Sequence, residues 1–296
     1  MERSELLRWY ERVLPGTGAR SRVVEVPGGG RVHLLEQGSG PPLVLLHGSG
    51  LAAGVFLPLL ASLPDVHAVA PDLPDFPRNR GHVAAVAWLD RLLDALAIGT
   101  TTLVGHSGGG VLAIRYALAR PDRVDRLVVI GVPTLPGTRC PLPHRLMATP
   151  GVGRLLAKLP ASRESVLRFA EVMGEGTTLA GHPDLVDLFV VAQREPAIAA
   201  ALRSDLRELI SPAALLTRSG WGRGRLRVED LRAVDVPTLL VWGRDEPLAE
   251  ASVAQAAAEL FPRAHLKVLP GGHAPWLGHA EVTAAAVSEF VHATVG

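Results

Sequence analysis

The chain has 296 residues, of which 48% are hydrophobic and 20% are charged. This composition is typical of a globular protein with one large core, and it excludes a disordered chain. The 30 Lys and Arg residues nearly balance the 29 Asp and Glu residues, and the resulting net charge of +1 excludes the strongly basic surface of a nucleic-acid-binding protein. We therefore expect a small-molecule partner and no nucleic acid.

Neither a membrane span nor an export signal is visible in the chain. The most apolar stretch, residues 41–64, is interrupted by His47, glycines and prolines, whereas a spanning helix needs about 20 nearly unbroken apolar residues. Charged side chains throughout residues 2–12 exclude the apolar core of a signal peptide. The single cysteine, Cys140, cannot form an internal disulfide. We expect a cytoplasmic protein without membrane contact, and the sequence leaves a homodimer open.

The first half of the chain alternates between strand and helix patterns. Helical spacing of apolar residues predicts an amphipathic helix over residues 4–14. A hairpin is predicted next, with strands over 22–26 and 32–36 around three glycines. Further along, buried strands are predicted over 43–46, 67–70, 102–105 and 126–130, and helices over 82–96 and 109–119.

This alternation stops between residues 131 and 227, where prolines separate helical stretches. It resumes with strands over 238–242 and 266–269 and helices over 250–260 and 281–295. The pattern predicts an α/β fold, a mostly parallel twisted sheet with helices on both faces. We expect a core domain of residues 1–131 and 228–296, and an inserted helical cap, or lid, of residues 132–227.

A G-x-S-x-G motif, Gly105 to Gly109, joins the predicted strand 102–105 to the predicted helix 109–119. Strand, motif and helix in this order are typical of a nucleophile elbow, which lifts a serine hydroxyl above the sheet on a strained turn. The alternative, a phosphate-binding glycine turn, fits poorly because no lysine or G-x-G-x-x-G register is present. We therefore predict that Ser107 is a nucleophile.

A serine hydroxyl needs a base to remove its proton, and the base needs an acid to orient it. His273 follows the last predicted strand and is the predicted base, with His279 as the weaker candidate. Asp245 and Glu246 follow the preceding strand. Because adjacent side chains point in different directions, only one of them can reach the histidine, and the pattern alone leaves both open.

An oxyanion hole needs two backbone N–H groups directed at one point. Gly108, directly after the nucleophile, is predicted to supply one, and Ser49 in the loop after the strand 43–46 is predicted to supply the other, with Gly50 as the next candidate. We expect Gly50 and His106, which neighbour these groups in the chain, to contact the substrate.

Four segments, at residues 47–50, 105–109, 243–246 and 272–273, resemble the serine-nucleophile branch of the α/β-hydrolase superfamily. The resemblance extends over about residues 22–131 and 228–295. It implies that the triad acid is Glu246, with Asp245 as the alternative. It also implies that Trp276 either lines the pocket or is a buried structural tryptophan. One segment departs from the family: residues 72–79 are bulkier and stiffer than its usual glycine-rich loop.

These residues predict a serine hydrolase that forms an acyl-enzyme and needs no metal or organic cofactor. The expected reaction is cleavage of an ester, thioester, lactone or activated C–C bond in a small, largely apolar carbonyl substrate. Two alternatives stay open. One is a non-hydrolytic lyase or cyclase of a biosynthetic pathway that uses the same Ser–His pair, and the other is a non-catalytic protein that binds a small ligand.

Overall fold

The computed structural model describes residues 4–74, 81–149, 151–156, 161–211, 213–217, 219–222 and 224–293. In this part of the chain eight strands form one sheet. The strands are β1 (Arg20–Val26), β2 (Gly30–Gln37), β3 (Pro42–Leu46), β4 (His67–Pro71), β5 (Thr101–His106), β6 (Val124–Ile130), β7 (Thr238–Gly243) and β8 (Ala264–Leu269).

The sheet is mostly parallel, as the strand–helix alternation predicts. Its strand order is β1-β2-β4-β3-β5-β6-β7-β8. Strands β3 to β8 pair in parallel, whereas β2 is antiparallel to both β1 and β4. The predicted hairpin turns at Gly28 and Gly30, whose positive φ values of 66° and 73° suit glycine.

Helices connect the strands and cover both faces of the sheet. None of them, within the described ranges, is long and apolar enough to cross a membrane. In chain order the helices are α1 (Glu5–Val13), α2 (Leu57–Ala61), α3 (Gly81–Ala95), α4 (Gly108–Ala119), α5 (Leu142–Ala148), α6 (Val152–Leu156), α7 (Arg163–Val172), α8 (Gly176–Ala180), α9 (Pro183–Arg194), α10 (Pro196–Leu209), α11 (Val228–Arg232), α12 (Ala251–Ala258) and α13 (Ala280–His292).

Two apolar clusters hold the layers together, one on each face of the sheet. In β3, Leu43 and Leu45 belong to one cluster, and Val44 and Leu46 belong to the other. This alternation follows from the two-residue period of a strand, and burial of both faces explains the unbroken apolar run. Between β6 and β7 the chain leaves the sheet and forms α5 to α10, within the segment predicted as a cap.

Helix α1 joins these inserted helices to the core. The indole N–H of Trp9 donates to the carbonyl oxygen of Asp184 in α9 at 2.9 Å. One residue further on, the Tyr10 hydroxyl donates to Asp72 Oδ1 at 3.1 Å and accepts the N–H of Gly54 at 3.1 Å. Both aromatic side chains are almost fully buried. Helix α1 therefore packs against both the inserted helix α9 and the core around Asp72.

Asp72, directly after β4, lies at the centre of this contact. It also accepts hydrogen bonds from the N–H of Ala53 at 2.6 Å and from His33 Nδ1 at 2.8 Å. Burial raises the pKa of Asp72, but the hydrogen bond and charge of His33 outweigh this effect and lower it. Asp72, the first residue of the segment 72–79 that departs from the family, thus has a structural role. Residues 75–80 lie outside the described part of the chain.

We expect Tyr10→Phe to lower the free energy of unfolding by about 1–3 kcal/mol, because Gly54 N–H loses its buried acceptor and Asp72 loses a donor. Urea unfolding followed by tryptophan fluorescence measures this change. Leu7→Ala, on the exposed side of the same helix, is the control and should change the stability by less than about 0.5 kcal/mol. Wild-type stability in Tyr10→Phe would show that this hydroxyl does not hold α1 on the core.

Candidate functional site

Ser107 lies on a sharp turn between β5 and α4. Its backbone has φ 52° and ψ −120°, a conformation that costs a non-glycine residue on the order of 1–3 kcal/mol. The turn is compact: a Cβ atom at Gly105 would lie 2.6 Å from the carbonyl oxygen of Gly109, and one at Gly109 would collide with the carbonyl oxygen of Leu46. The flanking glycines of the motif are therefore a steric requirement.

His273 and Glu246 form a buried pair beside this turn. The Nδ1–H group of His273 donates to Glu246, with Nδ1 2.9 Å from Oε2 and 3.0 Å from Oε1. The Glu246 side chain is fully buried, and its Oε1 atom also accepts the N–H of Leu248 at 3.2 Å. Asp245 is exposed. Of the two adjacent acids that the pattern leaves open, Glu246 is the one that contacts the histidine.

Gly131, at the end of β6, makes room for this pair. A Cβ atom at this position would lie 2.8 Å from the carbonyl oxygen of His273 and 2.9 Å from both Glu246 Oε2 and His273 Nδ1. Its φ of 54° is also one that glycine adopts most easily. Any larger residue here would push the acid and the imidazole apart.

His106 and Trp276 lie behind His273. The Nε2–H of His106 donates to the carbonyl oxygen of His273 at 3.1 Å, and the centres of the two imidazole rings are 4.8 Å apart. Burial holds the pKa of His106 well below its usual value, so this ring is neutral. Trp276 is fully buried and donates to the carbonyl oxygen of Val55 at 2.9 Å. Both residues pack in the core behind His273, and the substrate contacts predicted for them stay predictions.

Ser49 and Gly108 lie next to each other. A Cβ atom at Gly108 would be 3.4 Å from the Ser49 backbone nitrogen. Gly108 begins α4, so its N–H group precedes the first intrahelical hydrogen bond and lies at the positive end of the helix dipole. The Ser49 hydroxyl donates to Asp205 Oδ2 in α10 at 2.6 Å.

The loop around Ser49 is held by His47. Its Nε2 atom accepts the N–H of Leu73 at 2.9 Å, and its Nδ1–H group donates to the carbonyl oxygen of Gly48 at 2.9 Å. Both ring nitrogens are thus occupied, which leaves this buried histidine a structural part of the loop.

A cavity of about 1210 Å³ opens above Ser107 and His273. Gly50 and Ser49 line it near the serine, and side chains of α5, α7, α9 and α10 form the opposite wall. The apolar members of that wall include Leu142, Phe169, Phe189, Leu202 and Leu206. This volume exceeds the roughly 300–1,000 Å³ that is usual for small-molecule pockets.

Ser107 and His273 share this cavity, but within the described ranges no hydrogen bond joins their side chains. Such bonds are often long in unliganded enzymes and shorten when substrate binds. The structure also brings Glu175, His144 and Asp205 to the site, none of which the sequence reasoning selected. All three are in the inserted segment, whose sequence carries no motif that relates it to the elbow or to the histidine.

Comparison with known proteins identifies the family of this chain. A model of the alpha/beta hydrolase family matches residues 43–286. The polyketide synthase ThaQ of Burkholderia thailandensis is 32% identical over 98% of this chain, which corresponds to only 14% of that protein. A 2-hydroxymuconate semialdehyde hydrolase from a Pseudomonas species is 26% identical, over 90% of this chain and 92% of the relative.

Two further comparisons agree. A pimeloyl-[acyl-carrier protein] methyl ester esterase from a Shewanella species is 25% identical, over 88% of this chain and 94% of the relative. The crystal structure of the carboxylesterase CesB from Bacillus subtilis superimposes with a TM-score of 0.73 at 20% identity, over 98% of both chains. The chain belongs to the α/β hydrolase family. Its relatives include hydrolases and esterases, so it is an enzyme of that class.

We expect Glu246→Gln to lower kcat/KM for p-nitrophenyl butyrate at least about 100-fold, because the amide cannot replace the carboxylate that orients His273 and stabilises its imidazolium form. Asp245→Asn is the matched control on the neighbouring residue and should stay within about threefold of the wild type, since Asp245 is exposed. Steady-state kinetics of the two variants measure the difference. The opposite ranking would assign the acid to Asp245.

Proposed function

We propose that this chain is a serine hydrolase in which Ser107, His273 and Glu246 act as nucleophile, base and acid. The observation that carries the proposal is the buried His273–Glu246 hydrogen bond beside a cavity that Ser107 also lines. A strained serine, a histidine with a fixed tautomer and a buried carboxylate in one place are the parts that acyl transfer needs.

In the proposed reaction, the Ser107 hydroxyl attacks the carbonyl carbon while His273 removes its proton. Glu246 holds the Nδ1–H tautomer, so that Nε2 is the free base. The N–H groups of Ser49 and Gly108 stabilise the oxyanion, and each contributes on the order of 3 kcal/mol to the lowering of the barrier. His273 then protonates the leaving group, and a water molecule activated by the same base releases the acyl group from Ser107.

The cavity supports an acyl chain longer than the small substrate that the sequence predicts. About 1210 Å³ with a mostly apolar wall can hold an extended chain. One relative is named for a methyl ester of a pimeloyl group on a carrier protein, and another is named as a polyketide synthase. These names favour an ester or thioester of an extended acyl chain, while lactones and activated C–C bonds stay as alternatives within the same mechanism.

The first test is intact-mass spectrometry after exposure to a fluorophosphonate. We expect one adduct on the wild type, none on Ser107→Ala, and a rate lowered at least about 100-fold in His273→Ala because the nucleophile loses its base. Ser165→Ala removes another serine that lines the cavity and should keep the adduct. p-Nitrophenyl esters of increasing chain length then define the acyl preference.

A folded wild type that forms no adduct would contradict this mechanism. The Ser–His pair would then be assigned to a lyase or cyclase that forms no acyl-enzyme, or the cavity to a protein that binds a ligand without catalysis. Binding of a fatty acid to such an unreactive protein would favour the second assignment.

A further inference from the structure

The segment between α7 and α8, residues 173–175, contacts the loop that carries His273. The carbonyl oxygen of Met173 accepts the N–H of His273 at 3.0 Å. Glu175 Oε1 accepts the N–H groups of Gly272 and Ala274, both at 2.9 Å. Three consecutive backbone N–H groups of the histidine loop therefore donate to one short segment of the inserted region.

Glu175 is an unusual residue at this place because it is buried, with 4% of its surface exposed. Its Oε2 atom is buried without a hydrogen-bond partner in the described part of the chain. Burial raises the pKa of Glu175 to about 7; the two backbone hydrogen bonds and His273 oppose this shift, and Glu246 adds to it. A buried carboxyl group with one unpaired oxygen is costly, so apolar packing does not account for it.

We propose that Glu175 is a positioning residue, which aligns the His273–Glu246 hydrogen bond by holding the backbone on either side of the histidine. The contact is close: a Cβ atom at Gly272 would lie 2.8 Å from the Cα atom of Gly174. Within the described residues Glu175 is not part of the cavity lining, and its side chain accepts from the backbone on either side of His273, so it acts through the loop. The kinetic test of this inference rests on the proposed function.

We expect Glu175→Ala to lower kcat for p-nitrophenyl esters about 10- to 100-fold with less than about a threefold change in KM, because two buried N–H groups lose their acceptor and the histidine loop shifts. Glu175→Gln keeps an acceptor oxygen and should recover most of kcat. Glu171→Ala removes an exposed carboxylate from the neighbouring helix α7 and is the matched control. Equal losses in the Ala and Gln variants would overturn the positioning role.

The pH profile of kcat/KM distinguishes a positioning role of Glu175 from a role of its charge. Because the pKa of Glu175 is raised to about 7, its carboxyl group is largely protonated over the acid limb of kcat/KM, so Glu175→Gln should leave that limb close to the wild type. Among the described residues, His273 and Glu246 are the ionisable groups that act on this carboxyl group. If Glu175→Ala does not fold, the Gln variant decides: a retained kcat with an unchanged acid limb supports the positioning role, and a lost kcat or a shifted acid limb contradicts it.

A proton NMR readout does not depend on hydrolysis. The downfield Nδ1–H signal of His273, identified by its absence in His273→Ala, should be present in the wild type and Glu175→Gln and be weakened or shifted in Glu175→Ala. An unchanged signal in Glu175→Ala would overturn the inference. Failure of the wild type to react with esters, with this signal intact, would instead count against the proposed function.

His144, in α5, is a second residue of the cavity that the mechanism does not use. Its ring packs edge-on against Phe169, with the ring centres 5.1 Å apart, and lines the cavity. Burial and the charge of His273 lower its pKa to about 4, so the imidazole is neutral and carries one N–H group. Its Nδ1 atom is buried without a hydrogen-bond partner among the described residues. A buried N–H without an acceptor is rarer than an unpaired acceptor, which places the proton on Nε2.

We infer that the Nε2–H of His144 donates to an oxygen atom on the bound acyl chain, so that oxygenated chains are favoured in an otherwise apolar cavity. This inference also rests on the proposed function. Octanoyl p-nitrophenyl ester and its mono-oxo analogues, with the keto group moved along the chain, test it. We expect one oxo position to raise kcat/KM about tenfold over the plain ester, a gain of one satisfied hydrogen bond.

His144→Phe should abolish the preference in kcat/KM for the oxo ester over the plain ester, whereas His144→Gln, which keeps a donor, should retain part of it. A wild type without preference for any oxo position, or the same preference in His144→Phe, would overturn the inference. Calorimetric binding of octanoic and oxo-octanoic acids to Ser107→Ala gives the same comparison without turnover. If an oxo-octanoic acid binds more tightly than octanoic acid but the wild type hydrolyses no ester, this inference stands and the result counts only against the proposed function.

Discussion

The hydrogen bond between His273 and Glu246 is the interaction on which the site depends. A fully buried carboxylate is expensive to desolvate, and it persists here because it accepts hydrogen bonds from both the imidazole and the backbone of Leu248. The end of β6 must leave space for the pair, which it does with Gly131. The acid follows β7 and the histidine follows β8, so the order of the parallel strands brings them to one edge of the sheet.

The inserted helices contribute more than a wall to the cavity. Among the described residues, hydrogen bonds join them to two loops of the site: Asp205 accepts from the Ser49 hydroxyl, and residues 173–175 accept from the loop that carries His273. Helix α1 attaches α9 to the core from the other side. A shift of these helices would therefore move the loop around Ser49 and the loop that carries His273. It would not only change the volume of the cavity.

The fold was predictable because its signals are local. Apolar runs alternate with helical spacing, the G-x-S-x-G turn lies between a strand and a helix, and glycines stand where backbone atoms approach closely. The residues alone did not decide between Glu246 and Asp245, since the choice depends on how the turn after β7 directs two adjacent side chains. The family resemblance favoured Glu246, which is the acid that contacts His273. Glu175 and His144 could not be found either, because their relation to the site comes from packing of helices distant in sequence. His106, which precedes Ser107 in the chain, and Trp276, for which the resemblance left a pocket or a core position open, both pack behind the histidine.

The backbone of Ser107 has a further consequence for the protein as a whole. At φ 52° and ψ −120° the residue best suited to the turn is glycine, whose lack of a side chain removes the steric cost. Ser107, the proposed nucleophile, thus occupies a position where its own backbone is strained, and the packing of the two apolar clusters must offset that cost. Reactivity and stability oppose each other at this residue, so a more stable chain is available at the expense of activity.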